Sequence, residues 1–429
     1  MEEEIRINLP IIDKNLYNKY LLEYVDGIKN NINLMTLIHK TEEPIYLNWD
    51  EIKYKSWIPN QYTKKEFWTL IRVHRDINYR NTPIRSQDNN NFKYYELHNF
   101  NSSNLFPDNK PRININEYLK SSILEESISS SQLEGANTTR RKAKKMILEE
   151  QKPTNNSEQM ILNNYNVMQR IQIDYKSEEL SIEMIKELHL ILTKNDNNIE
   201  NNKKGIFRTN KDEIVVGSKI INRYSYRTPS IEFVNEELGN LVAFANNKSR
   251  IEYINPIIKA IMLHFWFAYL HPFVDGNGRL ARCLFYWYLA KNNLGMFTFY
   301  PLSTVIKNSR NQYSKAYLYT EQDNYDLNYF IDYNLRKIAE AKKLFENYII
   351  KKLMEEKNID SIVLEKNLNI RQEQILKNIN ANKFSFITLK SYRNIFDISK
   401  PTAIKDLKEL ESKNILKTKK VGREIRYYI

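Results

Sequence analysis

His271-Pro272-Phe273-Val274-Asp275-Gly276-Asn277-Gly278-Arg279-Leu280-Ala281-Arg282 is the stretch on which the reading of this chain turns. Before it, Pro256 to Leu270 is apolar around most of its circumference, and Pro256 suits a first helical turn. That run carries Lys259 and His264 and stops at a polar loop, so it reads as a buried core helix rather than a membrane span. After it, Leu280 to Trp287 begins a second apolar helix. Between them, Gly276 and Gly278 allow positive φ and close approach of a ligand to the backbone. A glycine-bearing loop at a helix N-terminus points free N–H groups and the positive dipole end outward, which suits phosphate oxygens. The side chains agree with this. His271 is a general base near neutral pH, and Asp275 is a hard oxygen ligand for magnesium. Arg279 and Arg282 are forked donors for phosphate. Each residue alone has an ordinary explanation: a helix cap, a turn aspartate, a solvated arginine. Those explanations do not account for all of them falling in one loop.

Two further segments stand out. Ile113 to Leu133 has helical apolar spacing through Ile123, Leu124 and Ile128, and Gly135 suits the residue just past a helix end. Asn137-Thr138-Thr139 then supplies capping chemistry for a basic helix from Arg140 to Glu150. By pattern alone Glu134 is a last-turn helix residue. Further on, Gly205-Ile206-Phe207-Arg208-Thr209 precedes Glu213-Ile214-Val215-Val216-Gly217, and β-branched residues between Gly and Asp predict a short hairpin.

The residues at 271–282 resemble the signature of the Fic/DOC family, HxFx(D/E)GNGRxxR, without a departure. The resemblance implies a mainly helical core with a short β-hairpin flap, and transfer of AMP from ATP to a Ser, Thr or Tyr hydroxyl of a target protein. It implies that His271 takes the proton of that hydroxyl and that Asp275 holds Mg²⁺ against the α- and β-phosphates. The Gly276–Gly278 backbone with Asn277 would form an anion hole, and Arg279 and Arg282 would hold the β- and γ-phosphates. Doc-type relatives that phosphorylate their targets replace the GNGR portion, so its presence favours AMP transfer. Ser130-x-x-x-Glu134-Gly135 is similar to the family's inhibitory motif, (S/T)xxxE(G/N). That likeness implies that Glu134 pairs with Arg282, denies ATP its productive γ-phosphate position and leaves the chain autoinhibited. In some relatives the same glutamate positions water to remove AMP, so a de-AMPylating hydrolase stays open as an alternative. The resemblance assigns Ile214, Val215, Val216 and Gly217 to target docking. It also places a base pocket near Ser309–Tyr313, where Tyr313 and Tyr317 either face the base or form a packed helix face.

The remaining sequence bounds the organisation. Residues 1–110 are expected to form a separate, partly helical region, with helices at Leu16–Ile28 and Lys64–Ile77. In that region Trp49 and Trp57 sit in extended segments, and 81–110 is a loop or strand-bearing linker. Residues 111–350 form the helical core, with the inhibitory helix near 114–135, and 351–370 is a linker. Residues 371–429 predict three helices and a hairpin, an order that resembles a winged helix-turn-helix. In such modules the third helix enters the major groove and the wing contacts the backbone. This segment holds 14 basic and 6 acidic side chains, an excess suited to phosphate contact. Lys400, Thr402, Lys405, Lys419, Lys420 and Arg423 are the candidate DNA contacts. Asp406, Glu409 and Glu411 dilute the third helix, and a docking or dimerisation role is the rival reading. A DNA-binding regulator that uses the core as a nucleotide sensor is therefore another alternative, and a homodimer is compatible with the sequence. The net charge of +13 carries less weight, because an Asn-, Lys-, Ile- and Tyr-rich composition points to coding bias. One cysteine, Cys283, excludes an intramolecular disulfide. The acidic Met-Glu-Glu-Glu start is unlike a signal peptide. With no credible membrane span, the expected location is cytoplasmic.

Overall fold

A computed structural model describes residues 3–30, 49–54, 62–95, 102–105, 115–212, 214–218, 223–248, 253–380, 386–422 and 424–428. The chain is mainly helical with small sheets, and it divides into two compact units, Met1–Lys343 and Leu344–Ile429.

In the first unit, α1 (Lys14–Asn30), α2 (Trp49–Tyr54) and α3 (Lys64–Asn78) precede a hairpin of β2 (Arg80–Arg85) and β3 (Asn91–Tyr94). β1 (Glu3–Glu4) joins a different sheet, described below. Then come α4 (Ile115–Leu133), α5 (Arg140–Leu148), α6 (Asn156–Ile173), α7 (Ile182–Leu192), β4 (Val215–Ser218), β5 (Arg223–Arg227) and α8 (Ile231–Ala245). The centre is α9 (Pro256–Leu270) with α10 (Asn277–Lys291). It is followed by α11 (Leu302–Asn308), α12 (Arg310–Gln322) and α13 (Asn328–Glu365), whose residues from Leu344 on belong to the second unit. α9 starts where the Asn255 side chain accepts the Ile257 N–H at 2.9 Å. Both central helices are buried on nearly every face, which explains why their sequences lack a polar stripe. α4 ends before Gly135, at φ 97°, and Thr139 caps α5 by accepting the Lys142 N–H.

The N-terminal region is not separate as far as it is described. Arg72 and Arg75 of α3 are buried, and Arg72 meets Asp323 at 2.7 Å. Arg75 donates to the Tyr329 hydroxyl at 2.9 Å. Phe92 of β3 packs edge-on against Phe265, Tyr269 and Tyr325. Buried arginines need counter-charges or acceptors, and here the Asp323 carboxylate and the Tyr329 hydroxyl, about 250 positions later, supply them. Trp49 starts a short helix instead of lying in an extended segment, its ring 6.0 Å from that of Trp68. Trp57 lies outside the described residues. Most of the expected linker at 351–370 is helical: α13 continues to Glu365. No glycine or proline interrupts Asn328–Glu365, and Lys351 and Lys352 pair with Glu355 along it, as charges at helical spacing do.

In the second unit, α14 (Ile370–Asn380), β6 (Ile387–Thr388), α15 (Leu389–Phe396), α16 (Lys400–Ser412), β7 (Lys417–Val421) and β8 (Glu424–Tyr428) follow in order. The sheet order is β6-β8-β7, and both pairings are antiparallel. Thr388 and Ser399 cap α15 and α16, and Pro401 sits in the first turn of α16. Ile375, Tyr392, Ala403, Leu407 and Leu410 make its core.

Candidate functional site

The site is built at the junction of α9 and α10. His271 ends α9 in the left-handed region, φ 49° and ψ 55°, and its N–H still bonds the Phe267 carbonyl at 3.1 Å. Histidine is among the residues that tolerate this conformation. Its Nδ1 lies 3.2 Å from the Ala268 carbonyl oxygen. A ring nitrogen facing an acceptor must carry the proton, so Nε2 keeps its lone pair. Burial pushes the His271 ring down to about 4, and the Ala268 and Glu134 oxygens offset only part of that. The ring is therefore neutral at physiological pH, as a general base must be.

Gly276, at φ 82°, is the N-cap of α10, and no side chain caps this helix. The Asn277 side chain is spent on the loop itself: it accepts the Phe273 N–H at 3.0 Å and donates to the Phe273 carbonyl at 2.7 Å. Any part Asn277 plays in anion binding thus falls to its backbone. Asp275 Oδ1 accepts the Gly276 N–H at 2.5 Å. Its side chain is 48% exposed, with Arg279 4.0 Å away. Burial raises the Asp275 carboxyl above its usual range, Arg279 pulls it down, and the charges of Glu134 and Asp196 push it up again. Arg279 is fully buried, and its Nε and Nη2 have no hydrogen-bond partner among the described residues.

Arg282 and Glu134, 148 residues apart in sequence, meet at 2.8 Å. Ser130 completes the grip: its hydroxyl accepts from Arg282 Nε at 2.8 Å and its carbonyl from Nη2 at 3.0 Å. Burial works against the charge on Glu134, but Arg282, with help from Arg279, holds its carboxyl below the ordinary value. The carboxylate also lies directly over the first turn of α10. A Cβ added at Gly278 would stand 2.2 Å from Glu134 Oε1. α4 is itself anchored by a buried Glu126, which accepts from the Ser303 N–H at 2.8 Å and from the Ser303 hydroxyl.

The hairpin forms, but not from Gly205–Thr209. β4 pairs antiparallel with β5, with a register shift between Val216 and Gly217. β1 adds to β5 in parallel, so β4 lies at the edge of that sheet among the described strands. Ile214 precedes β4, and its carbonyl accepts from the Thr228 N–H at 3.3 Å and hydroxyl at 3.0 Å. Tyr313 and Tyr317 pack with Phe330, Phe265 and Tyr333, and the two hydroxyls lie 3.1 Å apart. The Tyr313 hydroxyl also reaches buried His264 at 2.9 Å. Burial raises it, and Arg282 beside it pulls the other way. Sequence reasoning passed over Arg208 and His189. Arg208 donates to the His271 carbonyl at 2.8 Å, and His189 stacks on Phe273. Both act on backbone or rings, which no spacing rule reports.

Residues 179–289 match the model of the Fic/DOC family, the class of protein to which this stretch of the chain is similar. Over 107 residues the chain is 36% identical to protein adenylyltransferase fic-1 of Caenorhabditis elegans, covering 25% of this chain and 18% of that protein. It is 34% identical over 67 residues to protein adenylyltransferase Fic of Drosophila erecta, covering 16% of this chain and 12% of that protein. The chain thus spans less than a fifth of the length of these curated relatives. Among solved structures, a Fic family protein from Desulfovibrio desulfuricans superposes with a TM-score of 0.47 at 14% identity, over 72% of this chain and 87% of that one.

Proposed function

We propose that this chain is a protein adenylyltransferase, moving AMP from ATP to a Ser, Thr or Tyr hydroxyl of a protein target and held down by its own Glu134. The observation that carries the reading is Arg279: a fully buried guanidinium with two nitrogens that have no hydrogen-bond partner among the described residues, and with Asp275 4.0 Å away. A buried charge so loosely paired is costly, and an anion entering the loop relieves it. Phosphate oxygens suit that place, where the uncapped N-terminus of α10 adds its dipole.

The acceptor hydroxyl gives its proton to His271 Nε2. Its oxygen bonds the α-phosphorus as the bond to the bridging oxygen breaks. Diphosphate leaves, and AMP stays on the target. An extended target segment lies along Ile214–Gly217 as an added strand, and the α12 face with Tyr313 and Tyr317 borders the base. Among the described residues, no group of three or more His, Cys, Asp or Glu side chains is placed to hold a metal ion. One half-exposed carboxylate, Asp275, is a hard oxygen ligand that would hold Mg²⁺. When bound, that ion neutralises phosphate charge. Among the described residues no helix is long and apolar enough to cross a membrane.

The test is label transfer from α-labelled ATP with Mg²⁺, read on the chain itself. Glu134→Gly should label strongly, wild type weakly, and Glu134→Gly/His271→Ala not at all. A silent Glu134→Gly chain, with AMP released from pre-labelled protein by wild type alone, would instead favour the hydrolase.

A second role rests on the last unit. The element order α14-β6-α15-α16-β7-β8 supports a winged helix-turn-helix reading. Of the acidic residues of α16, Asp406 is turned away from the surface, while Glu409 is half-buried and Glu411 exposed. Asp406 is buried and takes Arg371 at 2.8 Å and Asn369 at 3.0 Å. Glu409 pairs with Lys413 and Gln372, and Glu411 accepts from Thr418. Lys400, Lys405, Lys419 and Lys420 stay exposed, and Thr402 half-buried. Arg423 lies outside the described residues. Duplex DNA binding should therefore be salt-dependent, and Lys419→Glu/Lys420→Glu should flatten the salt slope by about 2. An unchanged slope removes DNA as the partner.

A further inference from the structure

The two halves of the proposed site come from different parts of the chain, and one imidazole joins them. His189 of α7 is fully buried. Its Nδ1 accepts the Gly205 N–H at 2.9 Å. That places the ring proton on Nε2, which donates to the Asp275 carbonyl at 2.9 Å. The ring lies flat on Phe273, with centroids 3.6 Å apart and planes within 2°. Gly276 backs onto it so closely that an added Cβ would stand 3.4 Å from Nε2. Gly205 begins the segment that leads into the flap. The same segment is tied to the motif loop again at Phe207, whose ring is 5.0 Å from that of Phe273. Arg208 adds its N–H to the Pro272 carbonyl at 2.9 Å and its Nη2 to the Pro229 carbonyl at 2.5 Å.

We infer that His189 is a positioning residue that couples the flap to the nucleotide loop. It fixes the lead-in at Gly205 and the turn at Asp275 to one flat, doubly bonded ring, so that ordering one orders the other. This rests on the nucleotide reading of the 271–282 loop. The chemistry restricts the choice of side chain. The place needs an acceptor on one edge, a donor on the opposite edge and a face that stacks on phenyl, and neutral imidazole alone offers all three. Removing one partner of each bond would leave a backbone N–H and a carbonyl without a mate, so both segments would relax independently. Coupling of this kind is reciprocal: what tightens the loop protects the flap, and the reverse.

The experiment uses the full chain carrying Glu134→Gly, with or without His189→Phe, which keeps the stacking face and deletes both hydrogen bonds. Calorimetry measures binding of α,β-methylene-ATP with Mg²⁺. Amide hydrogen exchange then follows residues 205–209 and 214–217 at saturating analogue. The expected result is that the analogue slows flap exchange about tenfold or more with His189 in place, and leaves it within about twofold in His189→Phe. Protection at the 271–282 loop should persist in both. His189→Gln, which keeps a donor and an acceptor, should recover part of the flap protection. Equal flap protection in the His189→Phe chain, with analogue bound, overturns the inference alone. If neither chain binds the analogue, the nucleotide reading falls and takes this inference with it. If His189→Phe does not fold, the same comparison is made with His189→Leu, which also lacks both hydrogen-bonding groups, and undiminished flap protection is again the overturning result.

Discussion

Replacing Glu134 with glycine should activate the chain, and the size of the effect follows from the contacts. The Arg282 side chain is 3% exposed and the Glu134 side chain 29% exposed. Their link is one charge-assisted hydrogen bond of 2.8 Å, and bonds to charged groups contribute about 1.5–3 kcal/mol. The partial exposure of Glu134 points to the lower end, about 1.5–2 kcal/mol. Arg282 is not orphaned by the change, because both Ser130 oxygens remain. At 1.4 kcal/mol per decade, the nucleotide-competent fraction should rise about 10- to 30-fold. Initial rates of label transfer from α-labelled ATP, below saturation, measure it. Glu134→Gln separates charge from bulk. It keeps atoms over the first turn of α10, where a Cβ at Gly278 would meet them at 2.2 Å, but it carries no charge. If occupation of the cradle is the main obstacle, glutamine should activate by only a few-fold. Full activation by glutamine would make the ion pair the whole of the restraint. A Glu134→Gly chain that binds ATP yet labels no faster than wild type would refute the argument altogether.

Three further outcomes follow from the same geometry. In the Glu134→Gly background, Gly278→Ala puts a methyl where the carboxylate lay. Crowding of about 1–3 kcal/mol should then weaken ATP-analogue binding roughly tenfold or more by calorimetry, and unchanged affinity would mean that phosphate lies elsewhere. Burial holds the His271 ring at about 4, so its basic form persists above that pH and is lost below it. Glu134 raises that value, so its removal lowers it further, and the Glu134→Gly transfer rate should stay flat from pH 8 to about 5; a break near 6.5 would show an unperturbed imidazole. Asp323→Ala strips buried Arg72 of its 2.7 Å partner, which should cost about 3–5 kcal/mol in urea denaturation. A loss under about 1 kcal/mol would mean that the pair carries little of the packing of α3 on the core.

What could be read in the sequence was whatever depends on neighbours along the chain. The 271–282 loop shows itself because a cap, a positive-φ glycine and a helix start must follow one another within a few residues. Glu134 was legible for another reason, a family likeness, since nothing within the chain announces that residue 134 will meet residue 282. His189 was hidden because its partners are a backbone N–H, a backbone carbonyl and a ring face. Every residue but proline has the first and every residue the second, so no spacing distinguishes this histidine from one that is merely buried. The burial of Arg72 and Arg75 was equally hidden. On a helix with apolar spacing an arginine passes for part of its solvated face, and partners such as Asp323 and Tyr329 are what make the burial tolerable. Asp406 misled in the same way, since a carboxylate on a presumed groove-facing helix weakens the case for a basic surface until Arg371 and Asn369 are seen to hold it inward. In each instance composition gave the sign of the charge, while the direction of the side chain depended on a partner elsewhere in the chain. The glycine-bearing loop between two buried helices can therefore be located from sequence alone. Whether that loop is held shut and what it is coupled to depend on contacts such as Ser130 and Glu134 on Arg282, and Gly205 and Asp275 on His189, that only the folded chain brings together.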